Sequence, residues 1–292
     1  MQAAKLGSGS RGIIWYRISG AEHHEFANSG IQQRGGHHNH DPPGDLAAWK
    51  PGPQMTQHPR KLAIVTGGAK GLGRHLCLRL ADLGYDILVN YLSSRAAAAE
   101  LVAEISGASA WSVGADVSQP AEVATIFATA DSTGRDLGLV VNNVGIFDPV
   151  PLREIGGEQW ERTIAVNLNG AFHVCRHALR RLRRGGQIIK FGVAGNQLNQ
   201  AESFATDYYV SKAALLQLTR ALAVEHAPDG IRLNMVSPGQ LVNSVGEVGG
   251  VPGHVPMGHD GSAENVFQAI EYLLGADYVT GANIEVAGGY RL

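Results

Sequence analysis

From Lys61 onward, short apolar runs alternate with stretches in which apolar residues recur every three or four positions. That is the signature of strands and helices following one another in a parallel sheet covered on both faces. The runs place strands at Leu62–Val65, Ile87–Asn90, Ala110–Val113, Leu139–Asn142, Gln187–Phe191, Ile231–Val236 and Asn283–Val286. Helical periodicity falls between them, near Leu72–Leu83, Arg95–Ile105, Pro120–Thr129, Trp160–Arg184, Asp207–Ala227 and Ala263–Leu274. The pattern predicts a single α/β domain over residues 59–292, built as a doubly wound parallel seven-stranded sheet. Residues 1–58 lack any such periodicity, are rich in Gly, Pro, Gln and His, and hold six of the twelve histidines, His37, His38 and His40 among them. They read as a disordered extension rather than a metal site, because no Cys or carboxylate pattern accompanies the histidines. Met55, just ahead of the first strand, is a candidate natural start.

The first strand runs straight into Thr66-Gly67-Gly68-Ala69-Lys70-Gly71-Leu72-Gly73-Arg74 and then into a helix. This is the layout of a Rossmann phosphate cradle: Gly67 permits the tight turn, Gly71 lets backbone amides approach a pyrophosphate, and Gly73 lets the helix pack close to the sheet. The helix start, with its unpaired amides, favours the anion. Tyr208 and Lys212 lie four apart at the start of a later helix and so share a face. An ammonium beside a phenol favours the phenolate and brings proton transfer within reach of neutral pH.

Composition narrows the partners. The 292 residues carry 24 Lys and Arg against 26 Asp and Glu, a net charge of −2, which points to a small-molecule substrate rather than nucleic acid or an anionic membrane. The only cysteines, Cys77 and Cys175, fall in amphipathic helical patterns, as buried free thiols of a reducing, cytoplasmic protein do. No apolar run approaches the length that spans a bilayer.

Taken in order, Thr66 to Gly73, Asp116-Val117, Asn142-Asn143-Val144-Gly145, Asn167, the YxxxK pair Tyr208 and Lys212, Pro238-Gly239, Thr280-Gly281 and Gly288-Gly289 resemble the motifs of the short-chain dehydrogenase/reductase family. The resemblance spans residues 61–292. It implies an NADPH-dependent oxidoreductase in which Tyr208 is the general acid, Lys212 lowers its pKa and holds the nicotinamide ribose, and Asn167 anchors a water of the proton relay. It implies further that Asp116 and Val117 bound the adenine, that Asn143 and Gly145 line the ribose, and that Asn243 contacts the carboxamide. Gly67, Lys70, Gly71, Leu72, Gly73, Pro238 and Gly239 complete the cofactor site, and Tyr209, three residues from Lys212, is a wall of the substrate pocket. The resemblance also implies a dimer or tetramer assembled through the helices Trp160–Arg184 and Asp207–Ala227, and a substrate lid over residues 243–260.

NADP(H) rather than NAD(H) follows from the end of the second strand, Asn90-Tyr91-Leu92-Ser93-Ser94-Arg95. An acid there would bind a ribose 2'-hydroxyl and repel a 2'-phosphate, and none is present. Tyr91, Ser93, Ser94, Arg95 and Lys70 offer hydroxyls and positive charge instead. One departure stands out: aligned on the fifth strand, Gly192 occupies the position of the family's active-site serine, with Asn196 and Gln197 as substitute donors. The loop Ala69-Lys70-Gly71-Leu72-Gly73-Arg74, Phe147 and Asn196-Gln197 are similar to pteridine reductases, in which this aromatic ring stacks on a pterin and a carbonyl-polarising serine is less necessary. Three readings stay open: a reductase of small carbonyl compounds, a pteridine or dihydrofolate reductase acting on a ring C=N bond, and a catalytically weak NADP-binding regulator. Arg180, Arg181, Arg183 and Arg184 read as cations closing a helix against its dipole.

Overall fold

The computed structural model describes residues 60–197, 201–242 and 255–291. The extension 1–58, Met55, Asn243 and most of the expected lid, residues 243–254, lie outside the described residues. Seven strands form one parallel sheet: β1 (Leu62–Val65), β2 (Asp86–Tyr91), β3 (Ala110–Gly114), β4 (Leu137–Asn142), β5 (Gln187–Phe191), β6 (Arg232–Pro238) and β7 (Asn283–Val286). Their spatial order is β3-β2-β1-β4-β5-β6-β7, so the winding reverses between β1 and β4. A ligand crevice opens at such a reversal, beyond the carboxyl ends of the strands.

Period-two alternation along the strands explains the two-sided core. Ala63, Val65, Ile87, Val89, Leu139 and Val141 pack under α1 (Gly71–Asp82), α2 (Arg95–Glu104) and α7 (Ala263–Gly275) through Leu76, Leu80, Leu101, Phe267 and Ile270. Leu62, Ile64, Leu88, Val140 and Ile188 face the other way, under α3 (Pro120–Ser132) and α5 (Ala171–Ala178) through Val123, Ile126, Phe127 and Val174. Each Val, Leu, Ile or Phe among them, fully withdrawn from water, stabilises the fold by about 1.5–3 kcal/mol.

The predicted helix Trp160–Arg184 is corrected in two ways. It is three segments, α4 (Gly157–Ile164), a π turn over Ala165–Gly170, and α5, and it ends at Ala178. Leu182, 3% exposed, turns back into the core, and Gly185 at φ +84° carries the chain toward β5, so the arginines lie beyond the helix. Arg181 pairs with Asp131 at 2.7 Å and lies over the Phe127 ring, and Arg184 donates to the Pro228 carbonyl at 3.1 Å. They tie neighbouring segments together rather than closing a dipole. The helix α6 (Thr206–His226) begins after Ala205, a buried left-handed residue at φ +53°.

Candidate active site

The glycine loop sits at the reversal. Gly67 (φ +61°) and Gly71 (φ +52°) adopt left-handed conformations, and a Cβ on Gly73 would stand 2.4 Å from the Gly67 carbonyl oxygen. The end of β4 holds this loop: the Asn143 amide donates to the Thr66 and Gly67 carbonyls at 3.1 and 3.2 Å, and the Asn143 backbone N–H donates to the Thr66 hydroxyl at 3.0 Å. Asn143 is thereby a brace, and what it offers a ribose is its place on the wall rather than a free amide.

Helix starts differ tellingly. At α7, Ser262 and Asn265 form a reciprocal capping box. At α1 and α2 the caps, Lys70 and Ser94, make no side-chain hydrogen bond to the helix, and neither first turn carries an acid. Two helix starts with neither a side-chain cap nor an acid, and with Lys70 and Arg95 exposed beside them, suit the phosphates of a dinucleotide. Around Gly71 nothing lies within 4 Å of where a Cβ would be, which leaves space for a diphosphate. No acid follows β2: Asn90 is 1% exposed, with its amide on the Ala115 carbonyl at 3.0 Å, and the Tyr91 ring lies against Gly114. Ser93 is exposed and Ser94 half-buried. The residues present fit NADP(H). At the adenine end, the Asp116 carboxylate accepts the Ser118 amide at 2.8 Å. Val117 is 3% exposed, and both its side chain and its carbonyl pack on Gly170, so its side chain belongs to the core.

Beyond the strand ends lies a cavity of about 320 Å³. Of the predicted residues, Leu72, Asn143, Gly145, Phe147, Gly192, Tyr208, Tyr209, Lys212, Pro238 and Gly239 line it. Lys212, 4% exposed, donates from Nζ to the Phe191 carbonyl at 2.9 Å and stands 5.5 Å from the centre of the Tyr208 ring. A Cβ on Gly145 would come within 3.2 Å of that ammonium. Burial pulls the Lys212 ammonium down to about 8. The Tyr208 phenol moves opposite to the sequence expectation: burial, and secondarily Tyr209, push it above its ordinary range. Desolvation outweighs the neighbouring ammonium, so Tyr208 is held in its protonated, donor form.

Two helices fix this pair. Thr163 donates to the Asp207 carboxylate at 2.7 Å, and Asn167 donates to the Ser211 hydroxyl at 3.1 Å, so positions four apart on one helical segment meet positions four apart on α6. Asn167 also accepts the Ile146 amide at 2.8 Å and donates to the Ile146 carbonyl at 3.0 Å. It therefore fixes the loop that carries Gly145 and Phe147 from within the π turn, a feature that often marks functional sites. The Phe147 ring stands edge-on to Tyr208, centroids 4.8 Å apart.

The serine position is revised. A Cβ on Gly192 would meet Ser237 Oγ at 2.2 Å and Met235 Sδ at 2.7 Å, so no side chain fits there; the next residue, Val193, also lines the cavity and is apolar. Neither substitute donor is available: Asn196 is not on the wall and donates to the Lys212 carbonyl at 3.0 Å, and Gln197 donates to the Asn283 carbonyl at 3.4 Å. Sequence reasoning missed Val193, Gln240 and Tyr290 on the wall, and Arg291, which donates to the Tyr209 hydroxyl at 3.0 Å. Only Val193 carried a signal, its place right after the strand. The described end of the expected lid packs nearby, the Met257 amide donating to the Gly288 carbonyl at 3.0 Å.

A phosphate cradle at the reversal of a doubly wound sheet, opening onto a cavity with a paired tyrosine and lysine, defines a dinucleotide-dependent oxidoreductase. A family profile described as Enoyl-(Acyl carrier protein) reductase matches residues 67–291. The chain is 37% identical over 245 residues to the Escherichia coli protein named "Uncharacterized oxidoreductase YgfF", covering 78% of this chain and 99% of that one. It is 32% identical over 253 residues to the Arabidopsis thaliana "NADPH-dependent aldehyde reductase-like protein, chloroplastic", covering 79% and 94%. Among solved structures, a blue fluorescent protein from a metagenomic library, in complex with NADPH, superposes with a TM-score of 0.74 at 34% identity, covering 80% of this chain and 98% of that one. The chain belongs to the short-chain dehydrogenase/reductase family and is an oxidoreductase.

Proposed function

We propose that this enzyme is an NADPH-dependent reductase of small carbonyl compounds, with Tyr208 as proton donor. The observation that carries the reading is the placement of Tyr208 and Lys212 on one cavity wall, with the phenol held protonated and the Lys212 ammonium buried beside it. The NADPH bound by the metagenomic blue fluorescent protein and the name of the Arabidopsis relative support the cofactor. When bound, NADPH supplies the hydride. Amides at the start of α1 hold the diphosphate, and Lys70, Ser93, Ser94 and Arg95, with Tyr91 beside them, receive the 2'-phosphate. Asp116 and the backbone of Val117 border the adenine, Gly145 and Lys212 face the ribose, and Leu72, Pro238 and Gly239 line the nicotinamide end. Tyr208 protonates the carbonyl oxygen as negative charge develops on it, and Asn167 fixes the backbone beside it.

Residues 59–292 form the catalytic domain in this reading, so a chain begun at Met55 keeps its turnover. Trp160, Phe172, Val210 and Val224 leave an apolar face exposed on α4, α5 and α6, which supports a homo-oligomer joined there; light scattering of Phe172→Glu and Val224→Glu chains tests it. Two buried, unpaired thiols, Cys77 and Cys175, support a cytoplasmic location. No helix among the described residues is long and apolar enough to cross a membrane. The central test follows NADPH absorbance over a panel of aldehydes and ketones. Tyr208→Phe lowers turnover by roughly two to four orders of magnitude and leaves the NADPH Kd little changed. Turnover unchanged in that variant refutes the assignment.

A further inference from the structure

We propose that the Tyr209 hydroxyl is a second hydrogen-bond donor to the substrate's carbonyl oxygen, so that two adjacent phenols grip this oxygen where relatives use a serine. The inference rests on the reading of Tyr208 as the acid and deepens it. Among the described residues the cavity wall carries no serine or threonine; of its other side-chain donors, the Asn143 amide is committed to the glycine loop and one Lys212 proton to the Phe191 carbonyl, while Gln240 and Tyr290 line it farther along the chain. Tyr209 is different. Its oxygen accepts from Arg291 Nη1 at 3.0 Å, and its own proton enters no hydrogen bond among the described residues. A phenol has one proton to give, and here the lone-pair side is already satisfied, which leaves the proton for a ligand.

Arg291 is built to strengthen that donor. Its guanidinium pairs with Glu202 at 2.9 Å, lies 4.6 Å over the Tyr209 ring, and is delivered by a left-handed backbone at φ +59° near the carboxyl terminus. A cation donating to a hydroxyl oxygen polarises the O–H bond and makes it a better donor. Side chains at adjacent helix positions do not ordinarily face one another. At the first turn of α6, though, both rings reach the cavity, 5.5 Å apart and nearly perpendicular. Tyr209 also raises the pKa of Tyr208, which places the two phenols in one another's field.

Two donors select the substrate class. A carbonyl oxygen has two lone pairs and accepts both phenols, whereas a ring imine nitrogen has one and leaves the second phenol without an acceptor. The pair therefore favours aldehydes and ketones over pterins.

Tyr209→Phe keeps the ring and removes only the hydroxyl. In it, kcat/KM over the aldehyde and ketone panel is expected to fall about a hundredfold, with the NADPH Kd unchanged. Arg291→Leu, which leaves the phenol but removes its polarising partner, falls between wild type and Tyr209→Phe. Tyr208→Phe separates the layers: full activity in that variant overturns the acid assignment whatever Tyr209 does. If Tyr208→Phe is crippled, a Tyr209→Phe enzyme within twofold of wild type overturns the two-phenol grip.

Discussion

Replacing Lys212 by Met should abolish turnover and yet stabilise the folded chain at neutral pH. Lys212 is 4% exposed, and among the described residues its ammonium donates to the Phe191 carbonyl alone. Burial lowers its pKa from 10.5 to about 8. Each pKa unit corresponds to about 1.36 kcal/mol, so holding the cation in the folded state costs on the order of 3 kcal/mol below pH 8. Met fills a similar volume without charge and leaves the Phe191 carbonyl without its charged donor, a loss of about 1.5–3 kcal/mol. The balance favours Lys212→Met by about 1 kcal/mol at pH 7. Between about 8 and 10.5 the unfolded chain binds the proton that the folded chain has released, so wild-type stability climbs with pH there and the advantage of Met disappears. Urea unfolding of both chains across this range isolates position 212, because every other titrating group cancels in the difference. A Met chain less stable than wild type at pH 7, or a difference that does not change with pH, refutes the argument.

Four further outcomes follow from the same geometry. Gly73→Ala places a Cβ 2.4 Å from a backbone oxygen, so it should lower stability by about 1–3 kcal/mol and weaken NADPH binding, read by urea unfolding and fluorescence titration. Gly192→Ser should raise no ketone activity and should lower the Tm, because Ser237 and Met235 already fill that space. Lys70→Ala and Arg95→Ala should each weaken NADPH about tenfold or more and leave the NADH Kd unchanged, as expected when a charged partner of the 2'-phosphate is lost. Asp207→Leu should cost about 1–3 kcal/mol in urea unfolding by stranding the buried Thr163 hydroxyl, and Asp207→Asn should recover most of it.

The sheet was legible because buried strands read as short apolar runs, and β1, β5 and β7 keep their sequence bounds. The Trp160–Arg184 helix was not, since a π turn leaves hydrophobic spacing almost unaltered and the arginine-rich tail looks helical until Leu182 is seen to be buried. Motif spacing marked Tyr208, Lys212 and Asn167, but the contact between Tyr209 and Arg291 joins residues 82 apart and has no local signature. The serine position misled for a steric reason: alignment finds the residue, whereas the direction of the missing Cβ, toward β6, is a property of the packed sheet.

The register of α6 links stability to chemistry here. Asp207 and Ser211 are held by Thr163 and Asn167, and one position further along lie Tyr208 and Lys212, so the polar contacts set the helix rotation that turns these two side chains toward the cavity. An uninterrupted α-helix through residues 157–178 would rotate everything after the π turn relative to α4 by about 100° for one residue inserted or removed. Asn167 could not then meet both Ser211 and the Ile146 backbone while α5 keeps Val174 and Cys175 in the core. The π turn reconciles the two demands. A buried cation such as Lys212 opposes folding, and buried, directional hydrogen bonds on the neighbouring face are the means by which α6 is kept from rotating it toward water.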